Sequence, residues 1–210
     1  MKKQTSILSK LASSLHRRDE VPNQELAKEI AAKNDATAVQ ELVEHLHDKR
    51  DIQNDCIKVL YEIGELEPAL IAVHAEALIP FLDHPNNRLQ WGAMTAIGTI
   101  ALERPQLVFA ALPKIMAAAD AGSVITRDNA VRILIKLCSL KQYASSSFAL
   151  LNEQLLHCPT NQLGMYAENA IPIIHDNNRK LFVKTLTARL GDIEKDTQRK
   201  RVEKVIRKFS

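Results

Sequence analysis

The stretch Leu89-Gln90-Trp91-Gly92-Ala93-Met94-Thr95-Ala96-Ile97-Gly98-Thr99-Ile100 sets a small residue at 93 and apolar or small residues three, four and seven positions on. Those offsets return to one side of an α-helix, because the chain turns every 3.6 residues. The same pattern stands at Cys56, Val59, Leu60 and Ile63, and again at Ala130, Ile133, Leu134 and Leu137. Cys56, Ala93 and Ala130 are spaced 37 and 37 residues apart. Two further copies are read at Ala170 (with Ile171, Ile173 and Ile174) and at Val202 (with Val205, Ile206 and Phe209), at looser spacings of 40 and 32.

A second amphipathic segment precedes each copy, at 38–46, 70–82, 107–116, 148–156 and 181–190. Short polar links at 47–51, 83–87, 120–123, 159–161 and 191–192 join the two members of each pair. Pro68 and Pro105 mark corresponding joints between successive pairs, whereas Pro80 and Pro113 fall inside first helices and should kink them. Pro172 interrupts the fourth second-helix. One pair cannot bury its apolar stripe alone, but neighbours in a stack can, and small anchors let helices approach closely. The domain organisation expected is therefore residues 1–34 as N-terminal capping helices and 35–210 as a repeat array of about five pairs. In the cap, a short helix around Ile7, Leu8, Leu11 and Leu15 should turn its leucines inward. A second should cover 26–32, and the stretch 19–23, with Pro22, should be a flexible joint. Capped ends predict a monomer.

A tandem of helix pairs with this period resembles the HEAT/armadillo repeat family. The second helix there typically reads Val-Arg-x-x-Ala-x-x-Ala-Leu-Gly; here Leu89-Gln90-x-x-Ala93-x-x-Ala96-Ile97-Gly98 and Thr126-Arg127-x-x-Ala130-x-x-Ile133-Leu134 stand in its place. The family's Arg is kept at Arg127 and replaced by Gln53 and Gln90 in the two preceding copies. The resemblance covers roughly residues 35–210 and implies an all-α, right-handed solenoid of stacked antiparallel helix pairs with a binding role.

Composition excludes several classes. The chain has 210 residues, of which 46% are hydrophobic, only 4% aromatic and 6 are Gly, which disfavours turn-rich β structure. The longest apolar run spans 107–112, far short of the roughly 20 residues of a membrane-spanning helix. Residues 1–14 carry lysines but no apolar core of a signal peptide, so a cytoplasmic location is the expectation. Cys56, Cys138 and Cys158 are odd in number and form no CxxC pair, which reads as buried, reduced thiols.

Little here points to catalysis. His45 and His47 are two apart, on different sides of a helix, where a metal pair wants i, i+4. HEAT-like iron hydroxylases use repeated His-Glu dipeptides, to which His74-Ala75-Glu76 is the nearest approach. The run Ser145-Ser146-Ser147 reads as a helix cap. A HEAT-like DNA glycosylase would want a basic, aromatic-rich cleft, and the centre of this chain is acidic. No cofactor, no metal and no enzymatic activity are expected, with an enzyme or lyase on this scaffold as the remotest alternative.

Two surfaces stand out instead. Trp91 lies two residues before the Ala93 anchor, about 200° around the helix, so it should point away from the core. Thr95 and Thr99 share that side; Asn54, Lys58 and Glu62 are their equivalents in the preceding copy, and Asp128, Arg132 and Lys136 in the next. In HEAT-like stacks the second helices line the concave face, and exposed Trp and Arg are typical interface hot spots. Trp91, Thr95, Asp128, Arg132, Lys58 and Glu62 are therefore the candidate protein- or peptide-binding residues. The alternative is nucleic acid on the basic end: residues 177–210 carry a net +7, and Arg199, Lys200, Arg201, Lys204 and Lys208 cluster there. Residues 19–176 carry −9, which would repel a nucleic acid along the whole array.

Overall fold

Local signals in the sequence become helices almost wherever an apolar stripe recurs. A computed structural model describes residues 6–209, which are all-α: thirteen α-helices and no strand among the described residues. In order they are α1 (Val21–Lys33), α2 (Ala36–Glu44), α3 (Arg50–Leu66), α4 (Pro68–Ala72), α5 (Ala75–Leu78), α6 (Asn87–Thr99), α7 (Pro105–Ala110), α8 (Leu112–Ala121), α9 (Val124–Cys138), α10 (Ala144–His157), α11 (Thr160–Ala170), α12 (Asp176–Arg189) and α13 (Asp196–Arg207). Two compact units form, Met1–Ala130 and Val131–Ser210, with the boundary inside α9.

In the first unit α3 packs between α1 and α6; in the second, α10 packs on α12 and α11 on α13. Elements close in order are the ones that touch, as a stack requires. Cys56, Ala93 and Ala130 are each 0% exposed, and their small size lets neighbouring helices meet. Glycine does the same at Gly92, where a Cβ would stand 2.7 Å from Ile57 Cγ1.

Proline acts more sharply than a kink. Pro80 sits in the first turn of a separate 3-10 segment, Ile79–Asp83, and Pro113 in the first turn of α8. The expected first helices of the second and third pairs are broken into α4, α5 and the 3-10 turn, and into α7 and α8. Missing N–H groups at 80 and 113 remove the bonds that would have carried a helix through the end of α5 and from α7 into α8, whereas the α4–α5 break at 73–74 precedes Pro80. Pro68 and Pro105 begin α4 and α7, where a fixed φ suits the first turn.

The fourth copy sits one turn earlier than its spelling suggests. Pro172 ends α11 at Ala170 and leaves Ile171–Ile173 as a 3-10 turn. The true stripe is Leu163, Ala167 and Ala170, all 0% exposed. Ala167 lies 37 residues after Ala130, so the period holds where Ala170 as anchor had made it loosen. The apolar run after Ala170 imitated a stripe that has no helix to carry it.

The amino-terminal expectations change most. Residues 7–15 are not an α-helix: Ile7–Lys10 is a 3-10 turn, and the chain then turns through His16 at φ 55°. Leu11 is buried while Leu15 is 49% exposed. Serines compete with the helix for backbone hydrogen bonds here; Ser6 Oγ accepts from Leu8 N and Ser9 Oγ donates to Ser6 O. The stretch 19–23 is not a joint. Pro22 starts α1, and the buried Asn23 ties the segment down, accepting from Ala12 N at 3.0 Å and donating to Asp55 Oδ1 at 2.7 Å. Ser145-Ser146-Ser147 does not cap α10 either; the N-cap position is Tyr143, and its side chain makes no capping bond to the helix.

All three cysteines are buried and none is in a disulfide. Burial, with Asp55, Asp48 and Glu41 nearby in the first case, pushes the Cys56 thiol up to about 12, and burial alone pushes Cys138 up to about 12. Folded protein at pH 8 is therefore expected to leave these two unlabelled by a thiol reagent that modifies them after unfolding in guanidinium. An unfolded thiol ionises near ~8.5, below the folded value, so stability is full below that pH and falls as pH rises toward about 12. An unfolding midpoint that does not fall between pH 7 and pH 10 would contradict this.

Candidate functional site

The nominated stripe is built in the first unit by α3, α6 and the first turns of α9. Small residues set the spacing, since Gly92 faces Ile57 and Gly64 faces Thr99 across the α3–α6 seam. Thr99 therefore does not share the outward side with Trp91 and Thr95. It is 6% exposed and donates to Ala96 O, filling the space that Gly64 leaves.

Lys58 is also less open than its position on the stripe suggests. It is 5% exposed, paired with Glu62 on its own helix and with Glu20 Oε2 at 3.0 Å. Its ammonium lies 4.7 Å from the centre of the Tyr61 ring. Burial alone would lower the Lys58 pKa, but the bonds to Glu62, Tyr61 and Glu20 outweigh it and hold the value above that of a free lysine. Glu20 also binds Arg88 of α6. One carboxylate preceding α1 thus joins α3 to α6.

Trp91 is half-buried, with its ring 5.7 Å from Tyr61 and tilted 47° to it. Thr95 Oγ1 donates to Trp91 O at 2.8 Å and accepts from Asn129 Nδ2 at 3.0 Å. Asn129 donates as well to Ile125 O. One turn back from Thr95 on α6 stands Trp91, and one turn back from Asn129 on α9 stands Ile125, which is 46% exposed. The result is an aromatic pair, Tyr61 and Trp91, with the Lys58 ammonium against the Tyr61 ring and the Thr95–Asn129 bond one turn on along α6.

Of the nominated residues, the structure brings together Lys58, Glu62, Trp91 and Thr95. Asp128 is half-buried in the first unit, and Arg132, exposed, belongs to the second. Sequence reading missed Tyr61, Ile125, Asn129, Glu20 and Arg88. Tyr61 and Asn129 carried a signal, standing one turn from a stripe residue on their own helices. Glu20 carried none, being 38 residues from Lys58.

The basic end is partly spoken for. Arg199 is half-buried and donates to Ile193 O at 2.7 Å. Arg201 pairs with Glu168, and its stem lies against Gly164. That pairing, helped by Lys204 and Lys208, holds the Glu168 carboxyl below its usual range. Lys200, Lys204 and Lys208 are exposed. Among the described residues no helix is long and apolar enough to cross a membrane.

No protein-family model and no curated protein matches the sequence. Among solved structures, the chain is similar to the designed armadillo repeat protein YIII(Dq.V1)4CPAF in complex with peptide (KR)4. The two share 17% identity at a TM-score of 0.66, over 98% of this chain and 100% of that one. In fold, the chain is a HEAT/armadillo-like helical repeat protein.

Proposed function

We propose that this protein is a non-catalytic scaffold that binds a segment of another protein across the α3–α6–α9 face of its first unit. The half-buried Trp91, set against Tyr61, is the observation that carries the reading. A large aromatic held in place but not fully covered is the kind of anchor that dominates interface energetics. The surrounding polar groups are already fixed by Thr95–Asn129, Lys58–Glu62 and Glu20–Arg88, so little ordering entropy would be lost on binding. Those ion pairs also favour a structural use of the face's charges over acid–base chemistry. The partner class, a protein or peptide, is supported by the fold neighbour described in complex with a peptide.

A photo-crosslinking side chain at Thr95 is expected to capture a partner that the same group at Val73, 69% exposed on α4's far end, does not. Trp91→Ala is expected to weaken that partner's binding by about tenfold or more with an unchanged circular dichroism spectrum. Equal capture from both positions, or unchanged affinity for Trp91→Ala, would reject the face.

A further inference from the structure

The second unit contains a pocket that the peptide-binding reading does not use. It has a volume of about 510 Å³ and lies between the end of α9, the start of α10, the 3-10 turn after α11 and the first turns of α12. That size is in the range of small-molecule sites, roughly 300–1,000 Å³. Its walls include Cys138 and Phe148, each 8% exposed, and Ile173, 5% exposed. Leu181 stands at the rim, 47% exposed, a large apolar side chain with its surface uncovered.

The lining carries one charged side chain, Lys141; among the described residues no carboxylate lines the pocket. Asp176 is next in sequence, but its side chain is 95% exposed and lies 3.6 Å from Arg179. The Cys138 thiol, pushed up to about 12 by burial, adds no negative charge near neutral pH. The Asn178 side chain is already engaged, accepting from His175 N and donating to Ile173 O, which fixes the turn that brings His175 to the mouth. An apolar floor, an uncovered leucine and a cationic mouth describe the complement of an amphipathic anion.

We propose that this pocket binds a small amphipathic anion, with its apolar body over Phe148, Ile173 and Leu181 and its anionic head at Lys141. A carboxylate and a phosphate head fit the same description, and the two are separated by the probes. Full-length protein is titrated with decanoate, decyl phosphate and decyltrimethylammonium, by calorimetry and by backbone amide shifts. The expected result is saturable binding of one or both anions, with shifts centred on 138–148 and 173–181, and none of the cation. Lys141→Glu, at an exposed position, should weaken the anion by about tenfold or more, since charge-assisted contacts are the strong ones. Ser145→Trp, which fills the pocket from its exposed wall, should abolish binding with the helical spectrum unchanged. The proposal is overturned if neither anion binds, if decyltrimethylammonium binds as well as they do, or if Lys141→Glu binds decanoate and decyl phosphate like the unaltered protein.

Discussion

Arg189→Ala is expected to lower unfolding stability by about 3 kcal/mol or more, beyond what a typical single substitution does. Arg189 ends α12, is 9% exposed, and turns its guanidinium onto the end of α10. It donates to Leu155 O and Leu156 O at 2.7 Å each, to Cys158 O at 3.0 Å and to Asp192 Oδ2 at 2.7 Å. Carbonyls at a helix C-terminus have no partner inside the helix and carry the negative end of its dipole. One cation therefore answers three acceptors in a place water does not reach freely. Arg189→Lys keeps the charge but not the planar fork, and should recover only part of the loss. The check is the denaturant midpoint, together with faster amide exchange at the end of α10. A loss under about 1 kcal/mol for Arg189→Ala would mean that the carbonyls find other donors.

Gly64→Ala should destabilise by about 2 kcal/mol, although alanine is favoured over glycine inside a helix by about 1 kcal/mol. The two effects oppose each other, so the sign of the measured change is decisive. A Cβ on Gly64 would land on Thr99 Oγ1, 2.6 Å from Ile71 Cδ1 and 3.0 Å from Thr99 Cβ. The Ile71 methyl is a flexible end, but Thr99 Cβ is not, and Thr99 Oγ1 is held by Ala96 O at 2.7 Å. Relief requires α3 and α6 to part, which loosens the seam behind Trp91. Gly191→Ala is the control, because nothing lies within 4 Å of the added methyl. It should be neutral or slightly stabilising. If Gly64→Ala stabilises like an ordinary helix substitution, the close approach of α3 and α6 is not what the fold relies on.

Legibility of the fold varied with the range of the interaction involved. The anchors at Cys56, Ala93 and Ala130 were plain, because helix period and repeat period are both properties of spacing along the chain. The fourth anchor was misread, since Ile171, Ile173 and Ile174 satisfy a helical stripe on paper; what rules it out is Pro172 ending α11. The leucines of residues 7–15 also fitted a helix, and serine side chains bonding to the local backbone decided otherwise. At the site, Trp91 and Thr95 were expected to point away from the core and are half-buried, because Tyr61 and Asn129 of neighbouring helices meet them. Thr99 was not legible, because its burial depends on a glycine 35 residues earlier.

Sequence by itself determined that this chain folds as helices, that the first three anchors recur every 37 residues, and that their apolar stripes need neighbours to cover them. Those properties follow from local geometry and from the scarcity of glycine and aromatic residues. Tertiary structure alone decided that Lys58 is a buried strut and not an open contact, that Glu20 joins α3 to α6, that Arg189 closes the end of α10, and that a cationic pocket lies beside Phe148. Each depends on side chains brought together from separate helices, and the distance between such residues along the chain leaves no period to read.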